Sequence, residues 1–189
     1  MHTVGILLAA GRGRRFDPSG VADKLLQRLP HGDAVVVASA RTLLAVLPRV
    51  IAVVPPSDRG VAQALRAIGC EVTVCPEADT GMGASLAHAV AASLPEAQAW
   101  LIALGDMPFV ERATMRALCA ALASGADIAA PLADGRRGNP IGFGAAHLPA
   151  LLALTGDEGA RRIVRASAVV EVAVDDPGIF RDIDTAADL

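Results

Sequence analysis

The sequence predicts a three-layer α/β/α fold, in which helices cover both faces of a mostly parallel sheet. Short apolar segments of strand length alternate with segments of helical composition from residue 4 to residue 131 of the 189-residue chain. The strand segments are apolar throughout, which is typical of parallel sheets that are buried on both faces. The length is that of one α/β domain, so we expect a single domain over residues 1–189.

Proline, glycine and capping residues place the first elements along the chain. The strands are predicted at 4–8, 49–54, 71–75, 99–104 and 127–131, and the helices at 34–47, from 57 or 58 to 68, at 84–93 and at 111–123. Pro48 ends the first helix and Pro55 ends the second strand. Ser57 or Asp58 caps the next helix, and Gly69 closes it. The stretch 24–29 stays ambiguous.

The pattern changes after residue 131, where the segments become shorter and more polar. We predict a polar turn at 135–140, helices at 148–154 and 158–165, strands at 141–143, 168–174 and 180–183, and a final helical turn. This second part of the chain, 132–189, is expected to cover the mouth of a site that the first part, 1–131, builds.

Composition excludes several classes of partner. Aromatic residues make up 3% of the chain, tyrosine is absent and the net charge is −3. Stacking platforms for single-stranded nucleic acid need aromatic residues, and duplex binding needs a basic field, so we expect no nucleic-acid partner.

The apolar run at 4–10 is too short to span a membrane, and no basic segment precedes it. Cys70, Cys75 and Cys119 form no C-x-x-C pair, which fits core residues of a reducing compartment. We therefore expect a cytoplasmic protein without a membrane partner.

A loop rich in glycine and arginine follows the first strand. Gly11 and Gly13 let backbone N–H groups approach a ligand closely, and three arginines offer forked donors that match phosphate oxygens. The Walker string is absent, and the dinucleotide fingerprint fails at Phe16, where a third glycine is needed. An NAD-dependent oxidoreductase is therefore disfavoured. An ordinary tight turn is the alternative, but plain turns favour Asn, Asp, Ser and Pro over arginine.

Two further loops lie at the carboxyl ends of predicted strands, where ligands bind in parallel sheets. Asp106 follows the fourth strand, and a carboxylate beside a triphosphate indicates Mg²⁺; a turn residue before Pro108 is the alternative. Gly81, Gly83 and Ser85 open a helix whose N–H groups and hydroxyl could bind a base edge, ribose or phosphate. The alternative is a plain helix N-terminus.

A second metal ligand is predicted near the C-terminus. Asp182 and Asp184 alternate on a segment expected to be extended, so their side chains point the same way. Asp184 is favoured as the ligand, with Asp182 close behind. Helix capping by Asp184, with Thr185 as its rival, is the alternative.

Several motifs of this chain resemble the MobA-like and MocA-like NTP transferases, which include molybdenum cofactor cytidylyltransferases. The signature loop is matched by Leu-Ala-Ala-Gly-Arg-Gly-Arg-Arg at 8–15 with Lys24, and the metal element by Leu-Gly-Asp-Met-Pro at 104–108. The nucleotide segment is matched by Gly-Met-Gly-Ala-Ser-Leu at 81–86, and the closing motif by 180–189. Phe16 departs from the family, as does the long approach to Lys24 through 17–23.

The resemblance implies a nucleotide triphosphate site and a role for each matching residue. Nucleotide binding is implied for Leu8, Ala9, Ala10, Gly11, Gly13, Arg15, Lys24, Gly81, Gly83 and Ser85. The catalytic residues that it implies are Arg15, Lys24 and Asp106, with Mg²⁺ as cofactor on Asp106, Asp184 and Asp182. The pair Ala9-Ala10 favours the cytidylyl branch of the family.

Acceptor binding is implied for two segments of the second part of the chain. The turn at 136–140 resembles a Gly-His-Pro segment, with asparagine in place of histidine, and 155–162 matches Gly-Asp-x-Gly-Ala-Arg. The implied acceptor-binding residues are Arg137, Gly138, Asn139, Pro140 and Asp157. A solvated hairpin and a helix cap are the respective alternatives.

The implied activity is transfer of CMP from CTP to molybdopterin or molybdenum cofactor, with release of pyrophosphate. A molybdoenzyme or its maturation factors are the further partners. Two other readings stay open: transfer to a sugar phosphate or another small phosphate acceptor, and a non-catalytic carrier of the cofactor. The sequence leaves the acceptor, the choice among CTP, GTP and other nucleotides, and the oligomeric state undetermined.

Overall fold

The computed structural model describes residues 2–11, 13, 16–17, 22–157 and 159–189. Within these residues one sheet of eight strands is flanked by α-helices. The strands are β1 (Thr3–Leu8), β2 (Val50–Val54), β3 (Glu71–Val74), β4 (Ala99–Leu104), β5 (Ile128–Ala133), β6 (Arg136–Arg137), β7 (Ile141–Gly144) and β8 (Val170–Ala173). The α-helices are α1 (Val35–Leu44), α2 (Val61–Ala67), α3 (Met82–Ala92), α4 (Arg112–Ala123), α5 (Leu148–Leu152) and α6 (Arg161–Ala166).

The sheet is parallel in its first half and mixed in its second. Its strand order is β3-β2-β1-β4-β7-β5-β6, with β8 also paired to β5. The strands β3, β2, β1 and β4 run parallel to one another, whereas β7 is antiparallel to both β4 and β5. The carboxyl ends of the four parallel strands therefore meet at one edge, where the loops predicted to bind a ligand begin.

Alternating side chains of the central strands divide the core into two layers, one on each face of the sheet. Val4, Ile6 and Trp100 pack with helices α3 and α5 on one face, while Leu7 and Leu101 pack with α1, α2 and α4 on the other. Both layers consist of side chains that are almost wholly buried. The predicted three-layer α/β/α class is confirmed.

Most predicted elements are confirmed, and most of the α-helices are shorter than predicted. The second helix begins at Val61 rather than at 57 or 58, because Gly60 is its N-cap and the Asp58 carboxylate accepts hydrogen bonds from the Gly60 and Ala62 amides. The ambiguous stretch 24–29 begins with a 3₁₀ turn over Lys24–Leu26. Among the described residues, no helix combines the length and apolar character that crossing a membrane requires.

The strand predicted at 180–183 is wrong. A 3₁₀ turn spans Pro177–Phe180, and residues 181–184 beyond it belong to no strand. The reason lies in Asp176, which is 2% exposed and whose carboxylate accepts hydrogen bonds from the Glu111 amide, the Thr114 hydroxyl and the Gly178 amide. This carboxylate ties the C-terminal segment, residues 176–189, to the start of helix α4 instead of to a sheet edge.

Candidate active site

A cavity of about 550 Å³ opens at the carboxyl ends of the parallel strands. Its walls come from the loop after β1, the 3₁₀ turn at Lys24–Leu26, the loop between β3 and α3, the end of β4 and the second part of the chain. The described residues that line it are Leu8, Ala10, Gly11, Gly13, Phe16, Lys24, Leu25, Ala78, Asp79, Thr80, Gly81, Met82, Ser85, Leu104, Asp106, Asp157 and Asp184.

Lys24 forms the centre of the charged end of this cavity. Its side chain is 10% exposed, and its Nζ lies 2.6 Å from Asp106 Oδ2 and 3.6 Å from Asp184 Oδ1. The same Nζ donates a 3.1 Å hydrogen bond to the Ile183 carbonyl oxygen. It is also the only lysine of the chain, among sixteen arginines. The ammonium group therefore joins three segments that are far apart in sequence.

Three carboxylates gather beside this ammonium group. One oxygen each from Asp106, Asp182 and Asp184, the acidic cluster, lies within 4.8 Å of the other two. Ile183 brings the last two into place, because its side chain is fully buried and its amide donates a 2.9 Å hydrogen bond to the Asp106 carbonyl oxygen. An all-oxygen donor set of this kind fits a hard divalent cation such as Mg²⁺ or Mn²⁺.

The glycine loop after β1 borders the cavity next to Lys24. Gly13 has a φ of +58°, and a Cβ there would lie 3.4 Å from Lys24 Cγ. A Cβ built on Gly11 would enter open space, so the backbone at this position leaves room for the close approach of a phosphate. Ala9 is 2% exposed, donates its amide to the Val53 carbonyl and is not among the lining residues. The predicted Arg15 lies outside the described residues.

The residues at the start of α3 have two roles: some line the cavity, and some contact the loop at 155–157. Gly81 and Ser85 line the cavity, as nucleotide binding requires, whereas Gly83 does not. The Gly83 amide donates a 2.8 Å hydrogen bond to the Gly156 carbonyl, and a Cβ there would lie 2.7 Å from the Thr155 oxygen. A Cβ on Gly81 would overlap Gly156 as well. These glycines are therefore needed for the close contact with the loop at 155–157, which brings Asp157 into the cavity wall.

The turn at 136–140 does not line the large cavity. Arg137 Nε donates to Glu171 Oε1 at 2.7 Å, and the Asn139 amide donates to the Ile179 carbonyl at 3.0 Å. Arg137, Gly138, Asn139 and Pro140 are all absent from the lining of the large cavity. Asn139 and Pro140 instead border a separate space of about 10 Å³ beneath the end of β4. Their role in acceptor binding stays a prediction, and of the acceptor-binding candidates only Asp157 lies in the cavity wall.

Sequence reasoning missed several residues of this site. Asp79 and Met82 line the cavity between β3 and α3. No familiar motif marks Asp79, and Met82 lies within the motif at 81–86 without having been assigned a role. The Thr185-x-x-Asp188 capping box, which was visible in the sequence, closes the final 3₁₀ turn at Ala186–Asp188. Thr185 is its N-cap, so Asp184 is not.

The Asp188 carboxyl group and two cysteine thiols have shifted pKa values. Hydrogen bonds from the Thr185 side chain, the Thr185 amide and the Asp184 amide lower the pKa of Asp188. A lowered pKa means that the contribution of this carboxylate to stability is present above its unfolded-state pKa and is lost as pH falls through the folded-state value. Burial raises the pKa of the Cys70 thiol to about 11, and it raises the pKa of Cys119 as well. Such thiols are unreactive, in agreement with their prediction as core residues.

The fold places its large cavity at the carboxyl ends of parallel strands, where α/β proteins bind ligands, and the family of the chain specifies the class. The chain belongs to the MobA-like NTP transferase domain family, which matches residues 5–172. It is therefore a nucleotidyltransferase. The comparison with curated proteins returned no match.

Solved structures of similar proteins agree with this assignment. Rv0371c from Mycobacterium tuberculosis H37Rv is 28% identical, with a TM-score of 0.83 over 100% of this chain and 95% of that one. Its complex with manganese is 28% identical, with a TM-score of 0.79 over 100% and 96% of the two chains. A nucleotidyl transferase from Methanothermobacter thermautotroptrophicus is 26% identical, with a TM-score of 0.82 over 99% and 94%.

Proposed function

We propose that this protein transfers CMP from CTP to the phosphate of a molybdopterin-type acceptor and releases pyrophosphate, with Mg²⁺ as its cofactor. The observation that carries the proposal is the meeting of Lys24, Asp106 and Asp184 at one end of a cavity bordered by Gly11 and Gly13. A cation and a divalent-metal site beside a glycine loop are what a triphosphate requires for binding and charge neutralisation.

The glycine loop and Lys24 have different proposed roles in this reaction. Gly11 and Gly13 hold the β- and γ-phosphates through their backbone, and Arg15 joins them on the strength of the family motif alone. Lys24 neutralises the charge that develops as the acceptor phosphate attacks the α-phosphorus in line. No covalent intermediate with the protein is needed, so positioning and electrostatic stabilisation supply the rate enhancement.

The acidic cluster is the proposed site of the metal ion. Asp106 and Asp184 would hold Mg²⁺, with Asp182 as a third ligand, and the bound ion supplies positive charge to the triphosphate. The manganese complex of Rv0371c, a protein 28% identical to this chain, supports a divalent metal. Lys24 can neutralise only part of the charge of three carboxylates, so a divalent cation also balances the charge of the cluster.

The wall between β3 and α3 is the proposed site of the nucleobase. It lies three strand positions from β4, and therefore from Asp106, in the sheet order. Gly81, Ser85 and Asp79 line it. A carboxylate accepts a hydrogen bond from the exocyclic amine of cytosine, which uracil lacks, so Asp79 favours CTP over UTP.

Support for the acceptor comes from the family and from one feature of the second part of the chain. Asp157 reaches the cavity through the contact of its loop with Gly81 and Gly83, and it is the proposed acceptor contact. We propose that residues 1–189 act as a single domain in the cytoplasm, where free cysteines such as Cys70 and Cys75 stay reduced.

Pyrophosphate release tests the proposal directly. The purified protein is assayed with Mg²⁺ and molybdopterin, with CTP, GTP, UTP and ATP offered in turn, and we expect the highest rate with CTP. Release with a sugar phosphate but not with molybdopterin would replace the proposed acceptor. Tight binding of molybdopterin without any Mg²⁺-dependent pyrophosphate release would instead identify a carrier.

A further inference from the structure

The side chain of Asp188 lies outside the cavity lining, yet it is hydrogen-bonded to a proposed metal ligand. Its Oδ2 accepts hydrogen bonds from the Asp184 amide at 3.1 Å, the Thr185 amide at 2.7 Å and the Thr185 hydroxyl at 2.8 Å. Asp188 itself is exposed. Three donors on one oxygen restrain the backbone directly beside Asp184.

The peptide group between Ile183 and Asp184 is held at both ends. Its N–H donates to Asp188, and its carbonyl oxygen accepts the 3.1 Å hydrogen bond from Lys24 Nζ. A continuous chain of hydrogen bonds thus runs from Asp188 through one peptide to Lys24 and on to Asp106. Bonds in such chains polarise and strengthen one another, so a change at Asp188 is felt at the ammonium group.

The buried side of the same segment fixes the chain just before this peptide. The Ile183 side chain is fully buried and its amide is bound to the Asp106 carbonyl, which fixes the chain up to residue 183. Beyond that point the described segment is mostly exposed. The capping box of Thr185 and Asp188 therefore helps to set the direction in which the Asp184 side chain leaves the backbone.

We propose that Asp188 is a positioning residue of the active site, which acts through the 183–184 peptide on both Asp184 and Lys24. The inference rests on the proposed function, since it assigns Asp184 to the metal. Without the Asp188 acceptor, the Asp184 and Thr185 amides turn to water and the last turn loosens. The Asp184 carboxylate then spends part of its time away from Asp106, and the metal site loses a preorganised ligand.

The test combines two readouts that do not require turnover. Mn²⁺ affinity is measured by titrating the metal alone into wild type, Asp188→Ala, Asp188→Asn and Thr185→Val. Because Lys24 is the only lysine, lysine labelled with ¹³C at Cε gives a single side-chain resonance that reports on the Ile183–Lys24–Asp106 contacts. We expect Asp188→Ala to weaken Mn²⁺ binding on the order of tenfold and to shift the lysine resonance in the metal-free protein.

Two of these variants should show intermediate losses of Mn²⁺ affinity. Asp188→Asn keeps an acceptor oxygen and should restore part of the affinity, and Thr185→Val keeps both amide donors and should lose less than Asp188→Ala. Asp58→Ala is the matched control, because Asp58 also caps a backbone turn, accepting from the Gly60 and Ala62 amides at helix α2. It should cost similar thermal stability and leave Mn²⁺ affinity and the lysine resonance unchanged.

The outcomes separate the two proposals. Wild-type Mn²⁺ affinity and an unmoved lysine resonance in Asp188→Ala would overturn the positioning role, while the proposed function would stand as long as wild type releases pyrophosphate. An equal effect in Asp58→Ala would also overturn it, since the change would then follow general stability. Absence of pyrophosphate release by wild type, with the lysine resonance shifted in Asp188→Ala, would overturn the proposed function alone.

Discussion

Two regions beyond residue 131 were both predicted to reach the active site, and only one of them lines the cavity. The C-terminal segment brings Asp184 into the cavity, 3.6 Å from Lys24 Nζ. The turn at 136–140 lies outside the lining, with Arg137 paired to Glu171 at the sheet edge. Both regions carry conspicuous charged residues in the sequence, so charge alone does not predict which residues line this cavity.

The turn at 136–140 contacts the C-terminal segment. The Arg136 guanidinium stacks on the Phe180 ring at 4.7 Å, and the Asn139 amide donates to the Ile179 carbonyl. Asp176 and Gly178 complete the attachment, because a Cβ on Gly178 would overlap the Phe109 carbonyl. The two regions differ because tertiary contacts attach the C-terminal segment so that its last residues lie beside Asp106.

The largest effect is expected at the residue on which the C-terminal segment converges. Lys24→Met removes the ammonium group that joins Asp106, Ile183 and Asp184, and it should lower the turnover rate on the order of 10²–10³-fold, as loss of a transition-state donor does. Steady-state pyrophosphate assays measure it, with circular dichroism to show that the fold is retained. Arg28→Met, which removes an exposed cation bound to the Gly32 carbonyl, is the control and should stay near wild type; near-normal turnover of Lys24→Met would remove this residue from the mechanism.

The next effect is expected where the segment is attached. Asp176→Ala leaves the Glu111 amide and the Thr114 hydroxyl without their buried acceptor, which should lower the free energy of unfolding by about 1–3 kcal/mol. Urea titration measures this loss. Mn²⁺ affinity should fall as well, because the segment carries Asp182 and Asp184; unchanged affinity in a destabilised variant would show that Ile183 alone holds the ligands.

An effect of similar size on stability, but confined to one loop, is expected at the contact that brings Asp157 to the cavity. A methyl group at Gly83 would lie 2.7 Å from the Thr155 oxygen, so Gly83→Ala should displace the 155–157 loop at a cost of about 1–3 kcal/mol. The KM for the acceptor should rise more than the KM for CTP. Gly69→Ala, at a position with open space but a φ of +98°, separates backbone strain from displacement of the loop, and an equal rise in acceptor KM there would contradict this account.

The smallest effect is expected in the turn itself. Arg137→Ala removes an exposed ion pair with Glu171, which is worth about 0–1 kcal/mol in proteins generally. Turnover and acceptor KM should remain close to wild type. A rise in acceptor KM of about tenfold, equivalent to 1.4 kcal/mol of binding free energy, would instead give this turn the acceptor-binding role that its sequence predicted.

The fold was largely predictable because its signals are local. Apolar runs such as those containing Ile6 and Ile102 have strand length, and Gly69 directly follows the C-cap of helix α2. The errors arose where a distant group intervened. The strand at 180–183 did not form because Asp176 binds the start of α4, and the purpose of Gly83 was hidden because the loop that it contacts lies more than 70 residues further along the chain.

The sequence by itself determined the order of strands and helices, the glycine loop and the chemical types of the candidate ligands, because each depends on neighbouring residues. Only the tertiary structure decided which of them meet. Lys24 reaches Asp106 across 82 positions and Ile183 across 159, and Gly138 to Pro140 lie outside the lining of the large cavity. Such meetings depend on strand order and on backbone contacts close enough to require glycine, and neither is encoded in the residues next to the site.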